Sequence, residues 1–572
     1  MLNLARSVLL RRSTACQQRF LSSSSSSDND DQNSKKASTT ADAKTTEKGQ
    51  KQSDKDETEK SAVKLSSSEK SPEKSSLSKE EDSKYVIVGP DGVPYDPSKD
   101  PEYTDDFYSY KYPQYFTKHL GLKRALKIVK EDLSLLKKGR IHKTREEIGC
   151  PNHVDVAIFG GGIIGASIAY FLKEKAPFSL NVAVFERDPT YTRASTTLSA
   201  GGIRQQWQHP ENIMMSMFTA DFLRNAKRHL AILDKGEPPD VSFTPQGYLT
   251  LADETQAEQL IESHKLQIEM GALVELYTAE RIKEKFPHVN TDGVVVGSYG
   301  VQNEGWFDPW ALLLGLKAKA QCLGVEFVHA DVLDFNTRKM HGHWDAETDE
   351  QTETAHYVVL REPDGNVKHC EFALGVVACG ANSGQIARLL GYGSRRGVRS
   401  VEFPVEPRKR YVYVFNCRDG PGLDFPFLID STGAYCRREG LGGNFICGRS
   451  PAPEEEPDVD NLDVDYSYFE SEVHPLLAAR VPAFEAIKLK GGWAGFYDYN
   501  RLDQHPIIGR DPYYRNFFWA TGFSGHGLQM GPAIGRAIME QIIYDEYKTI
   551  DLSRYDWQRV LSNRPLALDN CV

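Results

Sequence analysis

"VDVAIFGGGIIGASIAYFL", residues 154–172, decides the fold of this chain. Its opening "VDVAIF" has the length and apolar character of a buried strand, and "IIGASIAYFL" runs on as a helix. Between them stands Gly160-x-Gly162-x-x-Gly165. The first glycine permits a tight turn, the second lets backbone approach a pyrophosphate, and the third lets helix and strand pack closely. The helix then begins with free N–H groups and the positive end of its dipole, which suits an anion. "NVAVFE" (181–186) is a second strand ending in Glu186, twenty-one residues after Gly165. A carboxylate there accepts hydrogen bonds from ribose hydroxyls and repels a 2′-phosphate. Strand, loop, helix, strand and acid in this order point to an adenine dinucleotide.

Working outward, strands and helices alternate from Val154 onward, the pattern of an α/β core. Further strands are expected at 325–335, in "HYVVLRE", and at 371–379, with a helix in "WALLLGLKAKAQCLG". β-rich, aromatic stretches at 242–252 and 406–416 interrupt this core. Upstream, residues 1–21 carry Arg6, Arg11, Arg12 and Arg19 among leucines, with no acid before Asp28. That is the composition of a mitochondrial transit peptide. Residues 22–84 are nearly devoid of apolar side chains and read as a disordered linker. Residues 85–150 read as an arm followed by a helix, with Leu122, Leu126, Val129, Leu133 and Leu136 at helical spacing.

The chain has 572 residues and a formal charge of −11, with no basic stripe beyond the first segment, which argues against nucleic acid as a partner. No stretch has the ~18 uninterrupted apolar residues of a membrane span. The nine cysteines include no C-x-x-C and no histidine cluster joins them, so neither a structural metal nor a disulfide framework is indicated.

A second glycine-rich helix entrance, "GFSGHGLQMGPAIG" (522–535), lies far downstream of the first. The hydroxyl-rich "TRASTTLSAGGIRQQW" (192–207) suits a chain that follows a flavin dinucleotide along its pyrophosphate. A helix N-terminus aimed at the pyrimidine end of a flavin would stabilise its reduced anion. These pieces, with "GWFDPWALL" (305–313), "VVACGANSGQIA" (376–387), "DQHPIIG" (503–509) and "TGFSGHGL" (521–528), resemble the FAD-dependent amine and amino-acid oxidoreductases of the D-amino-acid oxidase and sarcosine oxidase type. The resemblance covers about 154–546 and implies a Rossmann-type FAD-binding domain with an inserted mixed-sheet substrate domain. The FAD-binding parts fall at 151–240, 325–400 and 493–550, the substrate parts at 241–324 and 401–492, and a tail at 551–572.

Carried over residue by residue, the resemblance implies that Gly160, Gly162, Gly165 and Glu186 hold the ADP half, with Ser195, Gly201 and Gly380 along the cofactor and the Val332 backbone at the adenine. Gly522, Gly525, His526 and Gly527 would surround the flavin ring, with Arg204, His526 and Gln529 as catalytic candidates. FAD is expected to be non-covalent, since "AGFYDYNRLDQHPIIG" has no Cys and "ASTTLSAGGIR" has no His. Gln529 stands where several sarcosine-type enzymes have a lysine. Further stretches, among them "ENIMMSMFTADFLRN" and "PVEPRKRYVYVF", resemble a mitochondrial branch of the family tied to respiratory complex I assembly. That implies complex I subunits or assembly intermediates as partners and a matrix-side location at the inner membrane.

Several readings stay open at this level. Trp493, Phe496, Tyr497 and Tyr499 form either a cage for a methylated ammonium or the core of a strand. His526 is either an imidazolium beside the flavin or a histidine satisfied within its turn. Arg204 is a carboxylate anchor or a structural ion pair. One of Arg408, Lys409 and Arg410 is expected to face the pocket, because a strand alternates its faces. The acids of "PAPEEEPDVDNLDVD" (451–465) read as a solvated loop. The chain is an oxidoreductase of small amines, or an assembly protein with FAD as a structural ligand.

Overall fold

The computed structural model describes residues 149–232, 237–344 and 351–568. The targeting segment at 1–21, the linker at 22–84 and the arm and helix at 85–150, up to residue 148, lie outside the described residues. The decisive stretch forms strand β1 (His153–Phe159) and helix α1 (Ile163–Lys175), followed by β2 (Val182–Glu186). Both strands are apolar on both faces and sit inside a sheet covered on two sides, as parallel sheets require.

That sheet runs Ile507–Arg510, Phe517–Thr521, Val367–Val377, β1, β2, Glu326–His329. From Phe517–Thr521 to Glu326–His329 all neighbours are parallel; only Ile507–Arg510 is antiparallel. Strand Val367–Val377 also extends into an antiparallel meander through Gln351–Arg361 to Asp331–Trp344. The strand expected at 325–335 is therefore two. The Ala330 N–H closes on the Glu186 carbonyl at 3.0 Å, and the chain then leaves β2 to pair with Gln351–Arg361. On one face, α1 packs against helix α2 (Gly527–Tyr544). Gly531 and Gly535 of α2 lie directly over Ile163 and Ser167, where a methyl on either glycine would collide.

The second sheet has eight strands in the order Lys488–Asn500, Val405–Asn416, Asn444–Gly448, Tyr435–Glu439, Phe427–Ile429, Tyr248–Ala252, Val296–Gly300, Val274–Thr278. Its longest pairing runs from Val405↔Asn500 to Asn416↔Lys488. Residues 493–500 thus belong to this sheet, and the chain crosses back to the first sheet after Asn500 rather than at 493. The reason is the twelve-residue partner strand, Val405–Asn416, which pairs with 493–500 in unbroken register and shifts only beyond them, between Val414 and Phe415. A ribbon of Gly202–Ile203 with Gly305–Trp306 lies apart from both sheets.

The return crossing is pinned by a buried ion pair. Arg559 donates to Asp503 at 2.8 and 3.3 Å and to the carbonyls of His505, Pro506 and Asp556. Both side chains are almost fully enclosed, at 6% and 0% exposure. Removing one partner of such a pair leaves an uncompensated buried charge. Arg559→Met is expected to lower unfolding free energy by about 3–5 kcal/mol in urea titrations, and Asp503→Leu with Arg559→Met to recover much of that loss.

Candidate functional site

The carboxyl ends of β1, β2 and Val367–Val377 open into a cavity of about 670 Å³ that reaches the second sheet. That volume lies within the range of roughly 300–1,000 Å³ typical of cofactor and ligand sites. At its first end, Gly160 (φ +101°) turns between β1 and Ala378, whose carbonyl a Cβ at 160 would strike. Gly165 sits against the Gly160 carbonyl and equally has no room for a methyl. Gly162 caps α1 without a side chain, and the Ile163 N–H donates to Thr196 Oγ1 at 3.1 Å. Glu186 is fixed by two backbone donors: the Gly161 N–H at 2.7 Å and the Asp188 N–H at 2.9 Å.

Gly160, Gly162, Glu186, Ser195, Val332, Gly380, Gly525, His526 and Gly527 all line the cavity, as do Arg204 and Gln529. Gly380 (φ +51°) has nothing within 4 Å of where its Cβ would be, so the wall stands open there. Gly165, Gly201 and Gly522 are not at the surface of the cavity; each supports a neighbour that is. Gly201 packs on the Phe307 carbonyl, and the lining residues beside it are Ala200 and Gly202. Ser195 donates its hydroxyl to the Phe496 carbonyl, tying the two sheets together across the cavity.

At the second end, α2 begins on a turn organised by Asp498, whose role the sequence pattern did not reveal. Asp498 Oδ2 accepts the Gly522 N–H at 2.7 Å and the Phe523 N–H at 3.1 Å. Burial pushes its carboxyl up from 3.8 to about 6, against the pull of those N–H groups. His526 lies edge-on to Trp207, ring centroids 4.7 Å apart. Burial, then Arg204, then His505 push its imidazole down to about 3. In these surroundings the neutral imidazole is the favoured form. Arg204 stacks its guanidinium over Trp207 at 4.6 Å, and its backbone N–H donates to Gln529 Oε1 at 2.9 Å.

The remaining wall comes from the second sheet. Tyr248 and Phe427 stack at 4.3 Å, joined by Tyr435 and Ile429. The β-rich, aromatic character of 242–252 marked this region, but nothing local showed that Tyr248 meets Gly202. Of the expected aromatic cluster, Phe496 and Tyr497 line the cavity; Trp493 and Tyr499 do not. Trp493 instead donates its indole N–H to the Leu198 carbonyl at 2.8 Å. Arg410 reaches the cavity, while Lys409 points the other way to Asn461 at 3.1 Å, as strand alternation requires.

Comparison with known proteins agrees with this geometry. Residues 155–541 match the family described as "DAO: FAD dependent oxidoreductase". The chain belongs to the FAD-dependent oxidoreductases. This flavoprotein is 50% identical over 428 residues to FAD-dependent oxidoreductase domain-containing protein 1 of Xenopus laevis, covering 74% of this chain and 85% of that protein. It is 47% identical over 428 residues to the protein of the same name from Bos taurus, covering 74% and 87%. Among solved structures, L-proline dehydrogenase from P. horikoshii superposes with a TM-score of 0.60 at 23% identity, covering 73% of this chain and all of that one. The flavoprotein takes FAD as its cofactor, and a mixed α/β architecture is common to these folds.

The Asp498 carboxyl gives a signed prediction. Its folded pKa of about 6 lies above the ordinary 3.8, so the native state holds the proton more tightly than the unfolded chain. The stability that this adds is complete below pH 4 and is lost as pH rises through 6. Asp498→Asn mimics the neutral acid, so its unfolding free energy should exceed that of the wild type by up to about 3 kcal/mol above pH 7. The difference should vanish near pH 4, as read by denaturant titration across that range.

Proposed function

We propose that this flavoprotein is a mitochondrial oxidoreductase that oxidises a small amine or N-methyl amino acid and serves in the assembly of respiratory complex I. The observation that carries the catalytic half is one wall of the cavity. There Arg204, tied to Gln529 at the α2 entrance, shares the cavity lining with the aromatic side chains of Tyr248, Phe427, Phe496 and Tyr497. An aromatic enclosure excludes water and attracts an alkylated ammonium group. A guanidinium, charged at any working pH, pairs with a carboxylate.

In this reading Gly160, Gly162 and the first N–H groups of α1 hold the pyrophosphate, Glu186 the ribose, and the backbone at Val332 the adenine. The open space at Gly380 is consistent with a bound cofactor. FAD supplies the two-electron acceptor. The turn Gly522–Gly527 is held by Asp498, which accepts the N–H groups of Gly522, Phe523 and Ser524, and so fixes the N-terminus of α2 at the ring end; neutral His526 adds no charge of its own. Arg204 provides the positive charge there, its position set by Gln529 and Trp207. Attachment is non-covalent: the one cysteine of the cavity wall, Cys379, donates to the Phe159 carbonyl at 3.1 Å, and burial pushes its thiol up to about 12. A protonated thiol is a poor nucleophile.

The mitochondrial location rests on the arginine-rich first segment, and the assembly role on the resemblance of the central stretches to that branch of the family. In the alternative reading FAD is purely structural and the chain acts as an assembly chaperone.

The experiment is anaerobic titration of the full-length holoprotein with sarcosine, dimethylglycine, proline, glycine and the amines that lack their carboxylates. Bleaching of the flavin absorbance by an N-methylated amino acid, and not by its decarboxylated counterpart, is expected. A bound flavin that none of them reduces would sink the catalytic half. Co-purification of complex I subunits from mitochondria tests the assembly role separately.

A further inference from the structure

The acidic stretch 451–465 is not simply a solvated loop. Glu454, Glu455, Asp458 and Asp460 are exposed, but Glu456 turns inward, its side chain only 19% exposed. Its two carboxylate oxygens meet Arg410 at 2.8 and 2.9 Å in a two-pronged pair, and Arg408 approaches one of them at 3.4 Å. Arg410 also donates to the Tyr497 hydroxyl at 2.7 Å and lies over that ring at 4.8 Å. Arg410, Tyr497 and, from the loop itself, Ser450 and Val459 line the cavity. Val459 is 36% exposed although apolar, which is unusual for a residue forming a cavity wall.

We propose that Arg410 is a carboxylate-binding subsite at the mouth of the cavity, occupied in the resting protein by Glu456 and taken over by the carboxylate of an incoming anionic ligand. The inference rests on the reading of this cavity as the place where a small molecule meets the flavin. A guanidinium fork recognises any carboxylate in the same planar geometry. Exchange of one carboxylate for another keeps Arg410 compensated, whereas simple opening of the loop would leave a half-buried cation without its partner. Between Gly448 and Asp465 the only regular structure is the single turn Pro453–Glu455, and the end of the loop is anchored where Leu462 and Val464 pack on the core of the second sheet. Besides Glu456, its ties include Asn461 on Lys409 and Arg449 on Glu472. The apparent affinity of an anionic ligand is therefore its intrinsic affinity multiplied by the fraction of time Glu456 leaves Arg410 free.

The test uses the holoprotein with benzoate, a carboxylate on one aromatic ring, and benzamide, its neutral counterpart. Binding is read from the perturbation of the visible flavin spectrum, with no turnover required. Glu456→Gln should tighten benzoate binding by about ten-fold and leave benzamide unchanged. Arg410→Met should cut the preference for benzoate to what Arg204 alone supplies and make it insensitive to Glu456→Gln, and Arg410→Lys should restore part of it, which separates loss of charge from loss of fold. The proposal is overturned if Glu456→Gln leaves benzoate affinity unchanged or weaker. It is equally overturned if benzamide tightens as much, since that would report an opened loop and no exchange of carboxylates. Should no amine reduce the flavin while benzoate affinity still follows Glu456, the exchange stands and only the amine-oxidising reading falls.

Discussion

Three stretches of backbone meet at Gly160 with no side chain between them, and the site depends on that meeting. The end of β1, the Ala378 carbonyl at the end of Val367–Val377, and the first turn of α1 at Gly165 approach so closely that a methyl at 160 or 165 has nowhere to go. Parallel β1 and Val367–Val377 must therefore end together, and α1 must start where they end. A cavity at the carboxyl ends of the strands is the geometric consequence. Glu186 and the meander from Asp331 are then placed around it by the neighbouring β2, which pairs with β1 in register.

A second constraint acts at the far end of the same cavity. Helix α2 packs on α1 in parallel, Gly531 over Ile163 and Gly535 over Ser167, so both helices point their N-termini the same way and α2 begins about one turn before the level at which α1 starts. The turn that begins α2 is shaped by Asp498, and Asp498 belongs to the long edge strand of the other sheet. One buried carboxyl thus couples the substrate-side sheet to the helix entrance. The Asp503–Arg559 pair lies a few residues on, where the chain crosses back, so the joint between the two sheets is held by two buried acids that use different physics. One is pushed toward its neutral form by burial while backbone donors favour its charge; the other is paired with a cation.

Acids and arginines both line the cavity, and two of the arginines are fixed in the same way. Arg204 stands at the inner wall and Arg410 toward the loop, each laid against an aromatic ring, Trp207 and Tyr497. Stacking of this kind holds a guanidinium in place while leaving its donor edge directed sideways. Burial, with Arg204 and His505 adding to it, pushes the His526 imidazole toward its neutral form.

Much of this was legible in the residues alone, because the physics involved is local. A glycine turn between an apolar strand and a helix, followed by a strand ending in an acid, can be recognised within about thirty residues. β1, α1 and β2 accordingly fall where the pattern puts them. The second glycine-rich entrance was visible for the same reason. Contacts between residues far apart in the chain were not. Asp498 reads as one acid in an aromatic strand until residue 522 folds onto it, Tyr248 as one tyrosine until Gly202 lies beneath it, and Glu456 as one of several surface acids until Arg410 is found 46 residues away. The break at Ala330 likewise depends on which strand the chain joins next. The sequence by itself determined the nucleotide-binding turn and the family of the fold, since these rest on backbone geometry that nearby glycines dictate. Only the tertiary structure decided which polar groups are buried, which are charged and which face the cavity, because burial and pairing are properties of the packed whole.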